Sequence, residues 1–198
     1  FDDGPRASTT SRLLDGLLER GVSATFFVIG QQIPGNEELL RRMAAEGHQI
    51  GNHTYSHVKL LKSEKDVVVQ EIQKTEVLLR GAVGEGSFWL RPPYGYIGAE
   101  RAALVKTPMV YWTVDPRDWE LLDAGKVACA VTGCVQPGDV ILLHDFYPTS
   151  VDAALQIVDQ LQGEGYTFVT VEELFRIQGV TPQAGVLYAS PCRVRNLE

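Results

Sequence analysis

Apolar positions recur along this chain in two alternating rhythms. Leu13, Leu14, Leu17 and Leu18 fall at helical spacing within Ser8–Arg20, and Gly21 stands where such a helix must stop. The next run, Ala24-Thr25-Phe26-Phe27-Val28-Ile29, is short, unbroken and rich in aromatic and β-branched residues, as in a buried strand. The alternation then repeats. A helix over 36–46 carries Leu39, Leu40 and Met43 on one side, a strand follows over 48–52, and a long helix runs from a Ser63 cap through Arg80. Strands over 88–90 and 109–114 flank a helix over 98–106. Asp123 caps a helix to Val135; a strand over 140–143, a helix over 150–162 and a strand over 166–169 come next. A last helix, to Gln178, starts from a Thr170/Glu173 capping box, and beyond Gly179 no period is legible. Strands alternating with helices of about ten or more residues predict parallel βα units, an α/β fold.

Composition narrows the class. With 198 residues, 44% hydrophobic and 22% charged, the chain fits one soluble domain over 1–196 that can bury its own core. A net charge of −7 argues against a nucleic-acid surface, and no apolar run of about 18 residues is present to span a membrane. The cysteines are three, an odd number, and the Cys129/Cys134 spacing fits neither a redox pair nor a zinc knuckle. They are expected to be buried apolar thiols.

The unusual residues gather at one kind of place. His53 and His57 lie four apart in Gly51-Asn52-His53-Thr54-Tyr55-Ser56-His57, a spacing that on a helical turn lets both imidazoles reach one ion. Alone the pair is weak evidence for a metal and reads rather as two partly exposed loop histidines. Asp2-Asp3 alone reads as a solvated acidic turn, Arg91 as a surface arginine, Trp119 as a core aromatic. Yet the histidine pair, Arg91-Pro92-Pro93-Tyr94, Asp115-Pro116-Arg117-Asp118 and His144 all follow the carboxyl ends of expected strands. In a barrel of βα units that rim is where catalysis sits.

Five segments in order resemble the five motifs of the NodB-type polysaccharide deacetylases, also called carbohydrate esterase family 4. They are Phe1-Asp2-Asp3-Gly4-Pro5, His53-Thr54-Tyr55-Ser56-His57, Arg91-Pro92-Pro93-Tyr94-Gly95, Asp115-Pro116-Arg117-Asp118-Trp119 and Ile141-Leu142-Leu143-His144-Asp145. The resemblance implies a distorted (β/α) barrel of about seven strands. It implies one divalent metal on Asp3, His53 and His57, zinc in the first place, with cobalt or manganese as alternatives; two histidines and a carboxylate leave coordination positions open, as catalysis requires. Asp2 is implied as general base, Arg91 as the partner that keeps it ionised, and His144 as general acid with Asp118 raising its pKa. The backbone N–H of Tyr94 is implied as oxyanion donor, a role Pro92 and Pro93 cannot fill. Trp119 and Ile141 are expected to line an acetyl pocket beside Pro92 and Tyr94. Asp115 is expected to brace Arg91 or the base, and Tyr55 and Trp112 are candidates to stack on sugar rings.

One departure stands out. Members of this family carry a β-branched-rich strand directly before Phe-Asp-Asp, and here nothing precedes Phe1. The expectation is an open seam, with both aspartates at a fraying terminus and an α-amino group near the metal. The implied function is metal-dependent removal of acetyl groups from N-acetylglucosamine units of a polysaccharide, peptidoglycan or chitin-like, outside the cell or at its surface. The alternatives are an acetylxylan esterase of the same chemistry and a glycan-binding domain without turnover. The acidic charge favours a neutral or cationic glycan. Oligomeric state is not legible.

Overall fold

The computed structural model describes residues 1–197 of the chain. α1 (Ala7–Glu19) buries Leu13, Leu14 and Leu17, while Leu18, at the edge of that stripe, is exposed. β1 (Thr25–Val28) and β2 (Gln49–Asn52) pair in parallel with Phe27 opposite Gly51, connected through α2 (Glu37–Ala45). From there single parallel bridges carry the ring onward: Asn52 to Leu90, Leu90 to Met109, Val114 to Ile141, His144 to Asp2, and Asp2 back to Phe27 of β1. The circuit closes on itself. β3 (Met109–Val110) also pairs in parallel with β4 (Leu187–Ser190), against which β5 (Arg193–Val194) folds back antiparallel. Asp2, β1, β2, 88–90, 109–114, 140–144 and β4 are thus the staves of the expected distorted barrel.

The helices pack outside it. α3 (Lys65–Val83) and α4 (Ala99–Ala102) precede β3; α5 (Asp118–Leu121), α6 (Ala124–Thr132), α7 (Pro148–Gly163) and α8 (Val171–Ile177) follow. The largest apolar cluster joins α1, α6 and α7 to the barrel through Leu13, Leu17, Val131, Ile157 and Leu161, each side chain contributing roughly 1.5–3 kcal/mol by burial. Asp123 and Thr170 cap α6 and α8 as expected, accepting from Lys126 N (3.0 Å) and Glu173 N (3.2 Å). No helix among the described residues is long and apolar enough to cross a membrane.

Several expectations are corrected. Ser63 does not cap α3; its hydroxyl donates to the Lys59 carbonyl (3.1 Å), and the helix starts two residues later. The helix expected over 98–106 ends at Ala102, because the chain must straighten before Pro108 to enter β3. The aperiodic tail holds β4 and β5, too short to show a period. Residues 166–169 form no strand among the described residues. The cysteines are exposed: Val127, Ala128 and Val131 take the inner face of α6, leaving Cys129 and Cys134 outside, and Cys192 sits between β4 and β5.

The seam beside Phe1 is closed at its catalytic end. Asp2 N donates to Leu143 O (2.9 Å), Phe27 N to Phe1 O (2.7 Å) and Ile29 N to Gly4 O (2.9 Å). The α-amino group donates to Thr25 O at 2.7 Å, tied to β1. Asp2 is 3% exposed, so the fraying expected for the aspartates is not found. A cavity of about 530 Å³ lies beside Phe1, lined by Thr25, Val140, Leu143, Ile157 and Phe168 among others.

Candidate metal centre and active site

Asp3, His53 and His57 offer ligand atoms that all lie within 4.8 Å of one another. Asp3 Oδ1 stands 3.5 Å from His53 Nε2 and 3.4 Å from His57 Nε2, and it is buried with no hydrogen-bond partner among the described residues. The tautomer explains why this arrangement asks for a cation. His53 Nδ1 lies 2.7 Å from the Arg91 carbonyl, an acceptor, so Nδ1 carries the proton and Nε2 presents its lone pair to the carboxylate. Burial pushes His53 down to about 4 and lowers His57 as well, favouring the neutral imidazoles that bind metals. Burial and then the Asp2 charge push Asp3 up to about 6. An acceptor facing acceptors in a buried site is costly until a positive ion sits between them. The three residues fit a divalent cation.

Asp2 and Arg91 form the second unit. Arg91 Nη1 donates to Asp2 Oδ1 at 2.8 Å, Nη2 to Tyr111 O at 3.1 Å, and the guanidinium lies 4.2 Å from the Phe27 ring centroid. Arg91 is 1% exposed, which disposes of the surface reading. Burial alone would raise the Asp2 pKa, but Arg91 and then His53 outweigh it and hold it down at about 2. Asp2 Oδ2 lies 3.7 Å from His53 Nε2, at the edge of the metal cluster.

His144 and Asp118 form the third. His144 Nδ1 donates to Asp118 Oδ1 at 2.8 Å, and the His144 backbone N–H donates to Asp118 Oδ2 at 2.8 Å. Burial pulls His144 down, yet the bond and charge of Asp118 win and its pKa is raised. Asp118 is fully buried, so the imidazole is held in one orientation, and among the described residues none bonds to its Nε2.

Residues 1–111 match the profile described as polysaccharide deacetylase. The chain belongs to the polysaccharide deacetylase family. It is 36% identical over 175 residues to the peptidoglycan-N-acetylglucosamine deacetylase PgdA of Listeria monocytogenes, covering 88% of this chain and 38% of that protein's length. Among solved structures, a T48 deacetylase with substrate superposes with a TM-score of 0.90 at 40% identity, covering 95% of this chain and 93% of that one. A family 4 acetyl xylan esterase from Clostridium thermocellum in complex with a cobalt ion gives a TM-score of 0.91 at 33% identity, covering 96% of each.

The remaining expected deacetylase positions divide. Tyr94, after two buried prolines, has φ 60° and stands half-exposed at the rim, its ring 4.7 Å from that of His57. Pro92 is buried beneath the turn and shapes it without offering a surface. Trp119 is 45% exposed, so it is not a core aromatic. Ile141 does not floor the pocket. Alternation along its strand turns Ile141 and Leu143 to the outer core and the cavity beside Phe1, and puts Leu142 on the His144 side. Asp115 does not brace Arg91; it is exposed, and its carboxylate accepts from Arg117 N at 2.9 Å. Trp112 stacks on Tyr111 (3.9 Å), and Lys74 Nζ sits 3.4 Å from the Tyr55 ring centroid.

One support lies outside the expected set. The Asp145 carboxylate is buried, bonded to the Thr10 hydroxyl, and packed so closely on Gly4 that a Cβ there would overlap it. Strain also marks the site: Asp3 (φ 74°), Thr54 (66°), His57 (58°), Tyr94 (60°) and Arg117 (55°) are left-handed without being glycine. The pattern of apolar positions carries no trace of such backbone.

Proposed function

We propose that this domain hydrolyses the acetamide of N-acetylglucosamine units in a glycan, with zinc as the ion held by Asp3, His53 and His57. The observation that carries the reading is the buried, unpartnered Asp3 Oδ1 facing two neutral imidazoles, flanked by an ionised carboxylate and a raised-pKa histidine. A divalent ion in such a set polarises a carbonyl and acidifies water. Asp2, ionised and aimed by Arg91, takes the proton of the attacking water. The water oxygen adds to the acetyl carbon, and the Tyr94 N–H faces the oxyanion. His144 then gives its Nε2 proton to the sugar nitrogen as the C–N bond breaks, releasing acetate and a free amine. Trp119 and Leu142 wall the acetyl methyl. A location at the cell surface or outside the cell belongs to the same proposal, on the ground that a relative is named for peptidoglycan, a wall polymer.

The acetyl xylan esterase likeness supports a second reading, ester rather than amide cleavage. Acetate release from N-acetylchitooligosaccharides and from acetylated xylan, measured side by side, separates them. Release from the first at a clear excess is expected; release from xylan alone would replace the amide reading with the ester one.

The raised His144 pKa makes a second prediction. Asp118→Asn removes the charge that holds the proton, so His144 deprotonates at lower pH. The alkaline limb of the pH–rate profile moves to lower pH, while the acidic limb stays. An unmoved alkaline limb would assign that limb to another group.

A further inference from the structure

The two histidines are held in different ways. His53 belongs to the barrel: its N–H donates to Val28 O at 2.9 Å, its ring is fixed by the Arg91 carbonyl, and it is 2% exposed. Among the described residues His57 makes no hydrogen bond of its own, and its backbone is left-handed, as is that of Thr54. Such backbone persists in non-glycine residues only where the surroundings over-determine it. Two elements over-determine this loop: the Gly30 and Gln31 N–H groups donate to the Thr54 and Tyr55 carbonyls at 2.9 Å each, and one turn of α3 adds three bonds of its own. Asn52 Nδ2 donates to Ile72 O (2.9 Å) while its Oδ1 accepts from Thr54 N (2.8 Å). Nearest His57, Ser56 gives both its donors to one carboxylate: N to Glu71 Oε2 at 2.7 Å and Oγ to Glu71 Oε1 at 2.8 Å.

Glu71 stands at an unusual place for a charge. α3 buries Val68, Thr75, Leu79 and Ala82 as its inner stripe, and position 71 falls on that stripe, three residues after Val68 and four before Thr75. An acidic side chain there is satisfied by the loop, through two charge-assisted bonds that are stronger than neutral ones.

We propose that Glu71 is a positioning residue for the metal centre, setting through Ser56 where His57 stands relative to Asp3 and His53. The inference rests on reading those three residues as a divalent-metal site, and its test contains no acetyl release, so it fails or stands separately from the proposed reaction. The full chain is stripped of metal and titrated with Co²⁺, reading both affinity and the visible absorption of the bound ion. Glu71→Ala is expected to weaken Co²⁺ binding roughly 10–100-fold and to alter the absorption band, as loss of an outer partner of a ligand does. Glu71→Gln, whose carbonyl still accepts from Ser56 N, recovers part of that loss, and the wild-type circular dichroism is kept in both. Should Glu71→Ala not fold, Ser56→Ala carries the test, with an expected weakening of roughly 2–10-fold for one lost bond. Wild-type affinity and spectrum in the variant that folds would overturn the proposal, as would a wild-type protein that holds no Co²⁺.

Discussion

His144→Ala is expected to lower turnover by roughly 10²–10⁴-fold, the usual worth of a general acid, while leaving metal content unchanged. The amine of an amide is a poor leaving group, so the step suffers most when nothing protonates the nitrogen. Metal content is the control because His144 Nδ1 is committed to Asp118 and the ring is not among the three clustered ligands. The fold should hold as well, since the backbone N–H of residue 144 still donates to Asp118 Oδ2. Steady-state acetate release with metal analysis on the same preparation checks both parts. A variant that kept most of the turnover would remove His144 from the mechanism.

The second large effect falls on stability. Arg91→Met leaves the Asp2 carboxylate buried with its counter-charge gone, and breaking a buried pair in this way costs about 3–5 kcal/mol. In a chain of this size that lowers the melting temperature by on the order of 10 °C. The pH dependence identifies the cause. Asp2 is depressed to about 2 in the wild type, so the pair's contribution is present above the unfolded carboxylate pKa and is lost as pH falls through the native value. The deficit of the variant should therefore shrink as the pH falls, starting above the ordinary carboxylate range, where burial without Arg91 lets Asp2 take up its proton, and ending near pH 2. Thermal melts across that window are the measurement. A deficit constant with pH would mean that lost packing against Phe27, and not the stranded charge, is responsible.

Much of this was legible in the chain itself. The βα alternation is carried by the leucine face of α1, the Thr25–Val28 run and the capped starts of α6 and α8, where local signals and tertiary packing agree. The five motifs brought Asp2, Asp3, His53, His57, Arg91, Asp118 and His144 together, because such residues at strand ends have one rim to share. What stayed hidden has physical reasons. The short pairings at Leu90, Val114 and Ile141 and the hairpin of β4 and β5 involve too few residues to set a period, and only the barrel's closure defines them. The reading of Ile141 failed on a single step of strand alternation, which exchanges one face for the other. Asp115 failed because an exposed carboxylate two residues before an N–H is readily used up locally, as it is on Arg117. Glu71 could have been found: an acid on the apolar stripe of a helix asks for a partner, and Ser56 supplies it.

The central claim is that the Asp3, His53 and His57 cluster holds a divalent ion without which the flanking acid and base do no chemistry. The measurement that reaches it most directly is acetate release from N-acetylglucosamine oligomers by chelator-treated protein, before and after one equivalent of Zn²⁺ or Co²⁺. No release before addition and full release after one equivalent is the predicted result. Equal release in both states, or none from protein that demonstrably holds its equivalent of metal, would contradict it.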